Sequence, residues 1–176
     1  MSTIKTLFIA SLFVVFINCK EDQKEIMEVA DPVISTFYFI RHAEKDRSDL
    51  ENTDPELNQD GLGRAVRWAE VMNNITLDAI YTTDYERTSM TAAPTAVQKD
   101  LTVQYYSPQD INIEEFKSNN LGYNVLVVGH SNTTPDFVNK IIGIEKYEAL
   151  DDYNNGSLFI VRIINGIATD IRLQIN

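Results

Sequence analysis

Three apolar runs along the chain predict strands that are buried on both faces of a sheet. Apolar and aromatic residues follow one another directly in these runs, which cover residues 35–41, 79–82 and 124–128. Such runs are typical of parallel strands in α/β proteins. Residues 101–105 predict a further short strand. Residues 158–164 and 167–175 predict a hairpin, because Asn165-Gly166 between them is the strongest short signal for a hairpin turn.

Residues with helical spacing predict four helices between these strands. The helices cover residues 58–73, 85–97 and 110–117, and a fourth segment between Pro135 and Gly143. In the first helix, an apolar stripe is expected to face the core, and Trp68 lies outside this stripe. The stripe consists of Leu62, Ala65, Val66, Ala69 and Met72. In the second helix, Pro94 is expected to kink or shorten the helix, because proline lacks the backbone N–H.

Basic and imidazole side chains follow the three buried strands. Arg41 and His42 come at the end of the first strand, Arg87 lies in the first turn of the helix after the second, and His130 follows the third. The chain contains only two histidines. Ligands of open α/β sheets bind at the carboxyl ends of the strands. We therefore expect these four side chains to meet at one edge of the sheet.

The chemistry of these four side chains suggests phosphoryl transfer. The planar guanidinium groups of Arg41 and Arg87 match the oxygens of a phosphate group. Their positive charge favours the neutral form of the neighbouring imidazoles. A neutral imidazole is a competent nucleophile at neutral pH. The residue types thus predict transfer of a phosphoryl group to a histidine.

Four motifs in order resemble the histidine phosphatase superfamily, also called phosphoglycerate mutase-like, and especially its small, capless SixA-type members. The motifs are RHAEK at 41–45, DPELNQDGLGRA at 54–65, IYTTDYERTSMTAAPTA at 80–96 and LVVGHSNTTP at 126–135. The resemblance implies an α/β fold, a three-layer α/β/α sandwich with a central, mostly parallel sheet. It also implies that residues 35–176 form one domain.

The resemblance assigns a role to each motif residue. It implies that His42 is the nucleophile that becomes phosphohistidine, and that Arg41 and Arg87 bind the phosphoryl oxygens. His130 would donate to the phosphoryl group, and the backbone amide of Ser131 would also contact it. Such enzymes need no metal and no other cofactor. The substrate would be a small phosphorylated molecule or a phosphoprotein, and sugar phosphates, nucleotides and phosphohistidine all remain open.

The proton donor to the leaving group does not stand out in the sequence. Glu44 is a candidate for this role and for a contact with the substrate, and Asp84, Asp110 and Glu114 are further candidates. Without such an acid, phosphoramidates and aryl phosphates would be favoured over alkyl phosphates, because their leaving groups depart more readily.

Other functions fit the same residues less well. A serine hydrolase with Ser131 as nucleophile lacks the second glycine of the Gly-x-Ser-x-Gly motif and a later histidine. A metal hydrolase lacks ligands, since the chain has two histidines and no cysteine cluster. A mutase of phosphoglycerate metabolism conflicts with an exported chain. The main alternative is a lipid-anchored protein that binds a phosphorylated ligand and turns it over weakly or not at all.

The net charge argues against a nucleic-acid partner. The formal charge of the whole chain is −11 at pH 7, so its surface repels polyanions. A small phosphorylated ligand remains compatible with this charge, because a locally positive cavity can hold it.

The N-terminus predicts export and a lipid anchor. Lys5 precedes an apolar segment, residues 6–17, that is too short to span a bilayer comfortably. The following Cys19 is the only cysteine, so no intrachain disulfide can form. The residues around it resemble a bacterial lipobox. We therefore expect residues 1–18 to be a lipoprotein signal peptide and 19–34 a tether, with the protein held at the periplasmic or cell-surface side of a membrane. A plain signal peptide with an incidental cysteine is the alternative.

Overall fold

Six strands and four helices form the part of the chain that the computed structural model describes, residues 31–175. The strands are β1 Ile34–Arg41, β2 Ala79–Thr82, β3 Val103–Tyr105, β4 Asn124–Gly129, β5 Ser157–Ile164 and β6 Ile167–Gln174. The helices are α1 Gln59–Val71, α2 Glu86–Lys99, α3 Ile113–Asn119 and α4 Thr133–Ile142. The predicted signal peptide, Cys19 and the tether up to residue 30 lie outside the described residues. Among residues 31–175, no helix is long and apolar enough to cross a bilayer.

The six strands form one mixed sheet in the order β3-β2-β4-β1-β5-β6. The first four of these strands are mutually parallel, and β5 and β6 are added antiparallel at one side. Arg41 at the end of β1 lies opposite Gly129 at the end of β4, and Thr82 at the end of β2 lies opposite Val128. The carboxyl ends of these three strands therefore lie side by side at one edge of the sheet.

Each face of the sheet carries its own hydrophobic core. Successive side chains of a strand point to opposite faces, so Phe37 and Phe39 of β1 pack toward α3 and α4, whereas Ile40 packs toward α1 and α2. All three side chains are fully buried. Burial on both faces explains why the central strands are continuous apolar runs, and it produces the predicted three layers.

Helix α1 packs through a different face from the predicted one. Trp68 is 1% exposed, whereas Leu62 and Val66 are 41% and 52% exposed. The buried residues of α1 are Gly61, Ala65, Trp68 and Ala69, with Met72 at its end. Three of these are small residues, which allow α1 to lie close to its neighbours. The face of α1 that packs against the rest of the protein is therefore not the face that carries Leu62 and Val66. The prediction for Trp68, Leu62 and Val66 was wrong for this reason.

Helix α2 continues through Pro94 to Lys99, so the predicted shortening at the proline was wrong. Proline removes a single backbone donor, and the helix is also held at its beginning. There the carboxylate of Asp54 accepts from the backbone N–H of Glu86 at 3.1 Å.

The predicted hairpin is present as β5 and β6, which pair antiparallel. Asn165 and Gly166 between them both have positive φ angles, 51° and 81°, as a type I′ turn requires.

We predict that two glycines of α1 respond oppositely to alanine. A Cβ atom on Gly61 would overlap the backbone oxygen of Glu44, whereas a Cβ atom on Gly63 would meet nothing within 4 Å. Gly61→Ala should therefore lower the free energy of unfolding by about 2 kcal/mol or more, as overpacking does. Gly63→Ala should raise it by about 0.5–1 kcal/mol, because alanine is the better helix former. Chemical denaturation of both variants measures the difference, and equal effects would contradict the close approach at Gly61.

Candidate active site

The backbone around His42 is fixed by hydrogen bonds from three different parts of the fold. The N–H of His42 donates to the carbonyl of Gly129 at 2.9 Å, and the N–H of Ala43 donates to the hydroxyl of Thr91 at 2.9 Å. The side-chain amide of Asn155, which is buried, donates to the carbonyl of His42 at 2.8 Å. The segment after β1 is therefore held rigidly before any ligand binds.

One ring nitrogen of His42 is hydrogen-bonded to the backbone, and the other has no hydrogen-bond partner among the described residues. Its Nδ1 lies 2.7 Å from the carbonyl oxygen of Ala43. A carbonyl only accepts, so Nδ1 carries the proton and Nε2 presents its lone pair. The ring is 3% exposed, and its burial, aided by Arg41, His130 and Arg87, lowers the pKa of His42 to about 3. His42 is thus a neutral imidazole with a bare Nε2 at neutral pH.

The second imidazole lies next to the first. The ring centroids of His42 and His130 are 5.5 Å apart. Nε2 of His130 lies 2.8 Å from the hydroxyl of Thr83, which is 3.2 Å from the hydroxyl of Thr88. The hydroxyl of Thr88 donates to backbone carbonyls, so the proton of Thr83 goes to Thr88 and the Nε2–H of His130 donates to Thr83. Burial, followed by the charges of Arg87 and Arg41, lowers the pKa of His130 to about 4.

The guanidinium of Arg41 is buried and held by a turn far along the chain, residues 151–155, which we call the 151–155 loop. Arg41 is 1% exposed. Its Nη1 donates to the carbonyl of Asp151 at 2.8 Å, and its Nη2 donates to the carboxylate of Asp152 at 2.7 Å. Its Nε is buried and has no partner among the described residues. Arg41 is therefore oriented by the loop but retains one unused donor.

Arg87 is held in a comparable way by another carboxylate. Its Nη1 donates to Asp54 at 3.1 Å, and its guanidinium carbon lies 4.3 Å from the ring centroid of Tyr85. Its Nε is also buried without a partner in the described part of the chain. Because buried N–H groups are nearly always paired, the two unused Nε donors of Arg41 and Arg87 indicate a place for an anion.

These side chains line one cavity of about 330 Å³, which we call the strand-end cavity. Its wall includes Ser131 and the beginning of α4 at Thr133. The N-terminal end of a helix carries a partial positive charge that attracts anions. The complete lining is Arg41, His42, Lys45, Thr83, Tyr85, Arg87, Pro108, Gln109, His130, Ser131, Asn132, Thr133 and Asp152.

The structure brings Arg41, His42, Arg87, His130 and Ser131 together in this cavity. Glu44 does not line it. Both carboxylate oxygens of Glu44 instead accept from Nε of Arg64, at 2.8 and 3.0 Å. The proton-donor candidates Asp84, Asp110 and Glu114 also lie outside the cavity lining.

Sequence reasoning missed several residues of the site. Lys45 and Asp152 line the cavity, Asp54 and Thr83 bind the side chains of Arg87 and His130, and Asn155 holds the backbone of His42. Bonds to Arg47 and Arg41 lower the pKa of Asp152 to about 2, so its carboxylate is ionised at neutral pH and is no proton donor. Within residues 31–175, no group of three or more His, Cys, Asp or Glu residues could hold a metal ion.

A comparison with protein families supports the resemblance inferred from the motifs. Residues 37–107 match the sequence profile of the histidine phosphatase superfamily (branch 1). The matched segment includes Arg41, His42 and Arg87. A search of curated proteins found no match. The predicted resemblance to this superfamily is confirmed.

Solved structures share the fold at low sequence identity. The protein histidine phosphatase SixA complexed with tungstate is 11% identical, with a TM-score of 0.62 over 79% of this chain and 96% of that one. The alpha-ribazole phosphatase from Shigella flexneri is 14% identical, with a TM-score of 0.60 over 80% and 96%. The phosphoglycerate mutase from Bacillus anthracis str. Sterne is 15% identical, with a TM-score of 0.61 over 81% and 94%. The predicted phosphoglycerate mutase-like α/β fold is confirmed.

Proposed function

We propose that the protein is a phosphatase that hydrolyses phosphomonoesters or phosphoramidates through a phosphohistidine intermediate on His42. The observation that carries this proposal is the bare Nε2 of a neutral, buried His42 beside two buried guanidinium Nε donors that lack partners. A nucleophile and unfilled anion contacts in one cavity are what transfer of a phosphoryl group requires.

The first half-reaction transfers the phosphoryl group to the protein. The lone pair on Nε2 of His42 attacks phosphorus, the P–N bond to His42 forms, and the P–O or P–N bond to the leaving group breaks. The leaving group departs with the bonding electron pair. In the second half-reaction a water molecule attacks the phosphohistidine, inorganic phosphate leaves, and Nε2 regains its lone pair.

The remaining groups of the cavity stabilise the charge on the transferred phosphoryl group. Arg41 and Arg87 offer their Nε donors, His130 places its imidazole ring beside the phosphoryl group, and the N-terminal end of α4 adds its dipole. These donors are fixed before binding, so little reorganisation is needed during the reaction. Residues with this arrangement can act on a small phosphorylated molecule or on a phosphorylated side chain of a protein.

The cavity also limits which leaving groups depart readily. Its single carboxylate, Asp152, is ionised at neutral pH and bound to Arg41 and Arg47. No carboxylic acid is thus available to protonate a poor leaving group. Phosphoramidates and aryl phosphates are expected to turn over faster than alkyl phosphates. The same feature favours the second candidate function, a protein that binds the phosphorylated ligand with little turnover.

Trapping the intermediate tests the proposal. The protein is mixed with a radiolabelled aryl phosphate, quenched, and examined for protein-bound label. We expect an acid-labile, base-stable label that is absent from His42→Ala. The matched control is His130→Ala, which keeps the nucleophile and should still accept label, although more slowly.

Two outcomes would contradict the proposed reaction on His42. Label retained in His42→Ala would place the nucleophile elsewhere. Tight binding of inorganic phosphate, without label or turnover in the unmodified protein, would favour the binding protein instead.

A further inference from the structure

Lys45 occupies a position in the strand-end cavity that the proposed phosphatase reaction does not use. The backbone around it is extended and fixed, because Lys45 pairs with Leu57 in an isolated antiparallel bridge. Along extended backbone, neighbouring side chains point in opposite directions. Glu44 points toward Arg64 of α1, and Lys45 consequently faces the cavity.

The ammonium group of Lys45 differs from the other cations near the cavity in having no partner. Arg41 and Arg47 share the carboxylate of Asp152, and Arg87 is bonded to Asp54. Within the described residues, Nζ of Lys45 takes part in no hydrogen bond or ion pair. Asp152 lines the same cavity and attracts Lys45, but its two carboxylate oxygens are bonded to Arg41 and Arg47.

The surroundings of Lys45 are themselves positive. Partial burial and the nearby charges of Arg47 and Arg87 lower the pKa of Lys45. The cavity wall carries three cationic side chains but a single carboxylate. The cavity therefore attracts more negative charge than its own carboxylate supplies, and Lys45 is its one cation without a bonded counter-charge in the described part of the chain.

The phosphoryl group already has enough donors without Lys45. The Nε groups of Arg41 and Arg87 and the beginning of α4 can serve its terminal oxygens. A cavity of about 330 Å³ also leaves space beyond a phosphoryl group. This space is where the remainder of the substrate must lie, and Lys45 lines it.

We propose that Lys45 forms a subsite for a second anionic group on the substrate, so that the preferred ligands are phosphorylated molecules carrying a further carboxylate or phosphate. This inference rests on the proposed function for the position of the phosphoryl group. The Lys45 subsite would select among phosphorylated substrates by their second anionic group. The catalytic groups cannot make this selection, because they contact only the phosphoryl group.

The test uses phosphonates, which bind without being hydrolysed. Phosphonoacetate and ethylphosphonate have the same two-carbon chain, but the first carries a carboxylate where the second carries a methyl group. Calorimetry at pH 8 should show that the protein binds phosphonoacetate, or its longer homologue 3-phosphonopropionate, about five- to tenfold more tightly than the matched alkylphosphonate. Lys45→Met should abolish this preference while changing ethylphosphonate affinity less than about twofold, and Lys45→Arg should retain it.

Lys99→Met is the matched control, because it removes the same charge from a residue whose ammonium donates to the carbonyl of Asn73 outside the cavity. It should leave the preference unchanged. Equal weakening of both phosphonates in Lys45→Met would overturn the proposal, since Lys45 would then contact the phosphoryl group itself. No preference at any spacer length would also overturn it.

The same measurements separate this proposal from the proposed function. Preference for the second anion without any phosphoenzyme would leave the subsite in place and reject the phosphatase. Phosphoenzyme formation without this preference would support the phosphatase and reject the Lys45 subsite. Failure of the unmodified protein to bind any of the phosphonates would overturn the subsite, and the trapping experiment would still decide the phosphatase.

Discussion

Arg41→Ala is expected to lower kcat/KM for an aryl phosphate by about 10³-fold, because removal of one fixed donor to the developing charge typically costs a factor of this order. Arg41 is 1% exposed, and two carbonyls and a carboxylate of the 151–155 loop fix its orientation. Lysine at this position keeps the charge but cannot reach these acceptors together. Arg41→Lys should therefore remain at least about tenfold below the unmodified protein.

Arg47→Ala provides the matched control for this prediction. Arg47 binds the same carboxylate, Asp152, but does not line the strand-end cavity. Its removal should change kcat/KM less than about threefold, as is typical of exposed ion pairs. Steady-state kinetics measures both variants, with circular dichroism to verify folding. Activity of Arg41→Ala within tenfold of the unmodified protein would show that Arg41 supports the loop and not the reaction.

Neither histidine is expected to titrate between pH 8 and pH 5 in the ligand-free protein. An ordinary imidazole has a pKa of about 6.5, whereas burial and the arginine charges lower the pKa of His42 to about 3 and that of His130 to about 4. Both rings thus remain neutral at the pH values where a nucleophile is needed.

The same shifts affect stability in a defined direction. The unfolded chain binds protons on both imidazoles below about pH 6.5, whereas the folded chain does not. The free energy of unfolding should therefore fall as the pH drops from about 6.5 to about 4. The stability that these two groups contribute is fully present above pH 6.5.

Proton NMR can test whether either imidazole titrates in this pH range, because the chain contains only two histidines. Protein without a histidine tag, in phosphate-free buffer, should give two ring Hε1 signals whose shifts are constant over this range. His130→Ala assigns the signals and acts as a control. A titration midpoint above pH 6 for His42 would contradict the buried, neutral nucleophile.

The sequence was sufficient to predict the placement of the residues that follow the strands. Arg41, His42 and His130 lie where the buried runs end, and the parallel register of β1 and β4 brings these ends together. Arg87 followed from its place in the first turn of α2. These positions follow from where each apolar run ends, because ligand-binding side chains of parallel sheets lie at the carboxyl ends of the strands.

The residues that hold these groups could not be predicted in the same way. Asp152 and Asn155 lie 111 and 113 positions beyond their partners Arg41 and His42. No predicted element or motif covers these residues, and their position depends on how β5 pairs with β1. The direction of the Glu44 side chain was also not predictable from the sequence. Its motif suggested a role in the site, whereas the extended backbone turns it to Arg64 and presents Lys45 instead.

The 151–155 loop has a consequence for the order in which the protein becomes competent during synthesis. The acceptors that orient Arg41 are Asp151, Asp152 and Asn154, all in the last part of the chain. The ribosome makes the nucleophile early and these acceptors late. A nascent chain therefore carries His42 long before it carries the acceptors that orient Arg41, so the anion contacts of the cavity form only after the last part of the chain has been made.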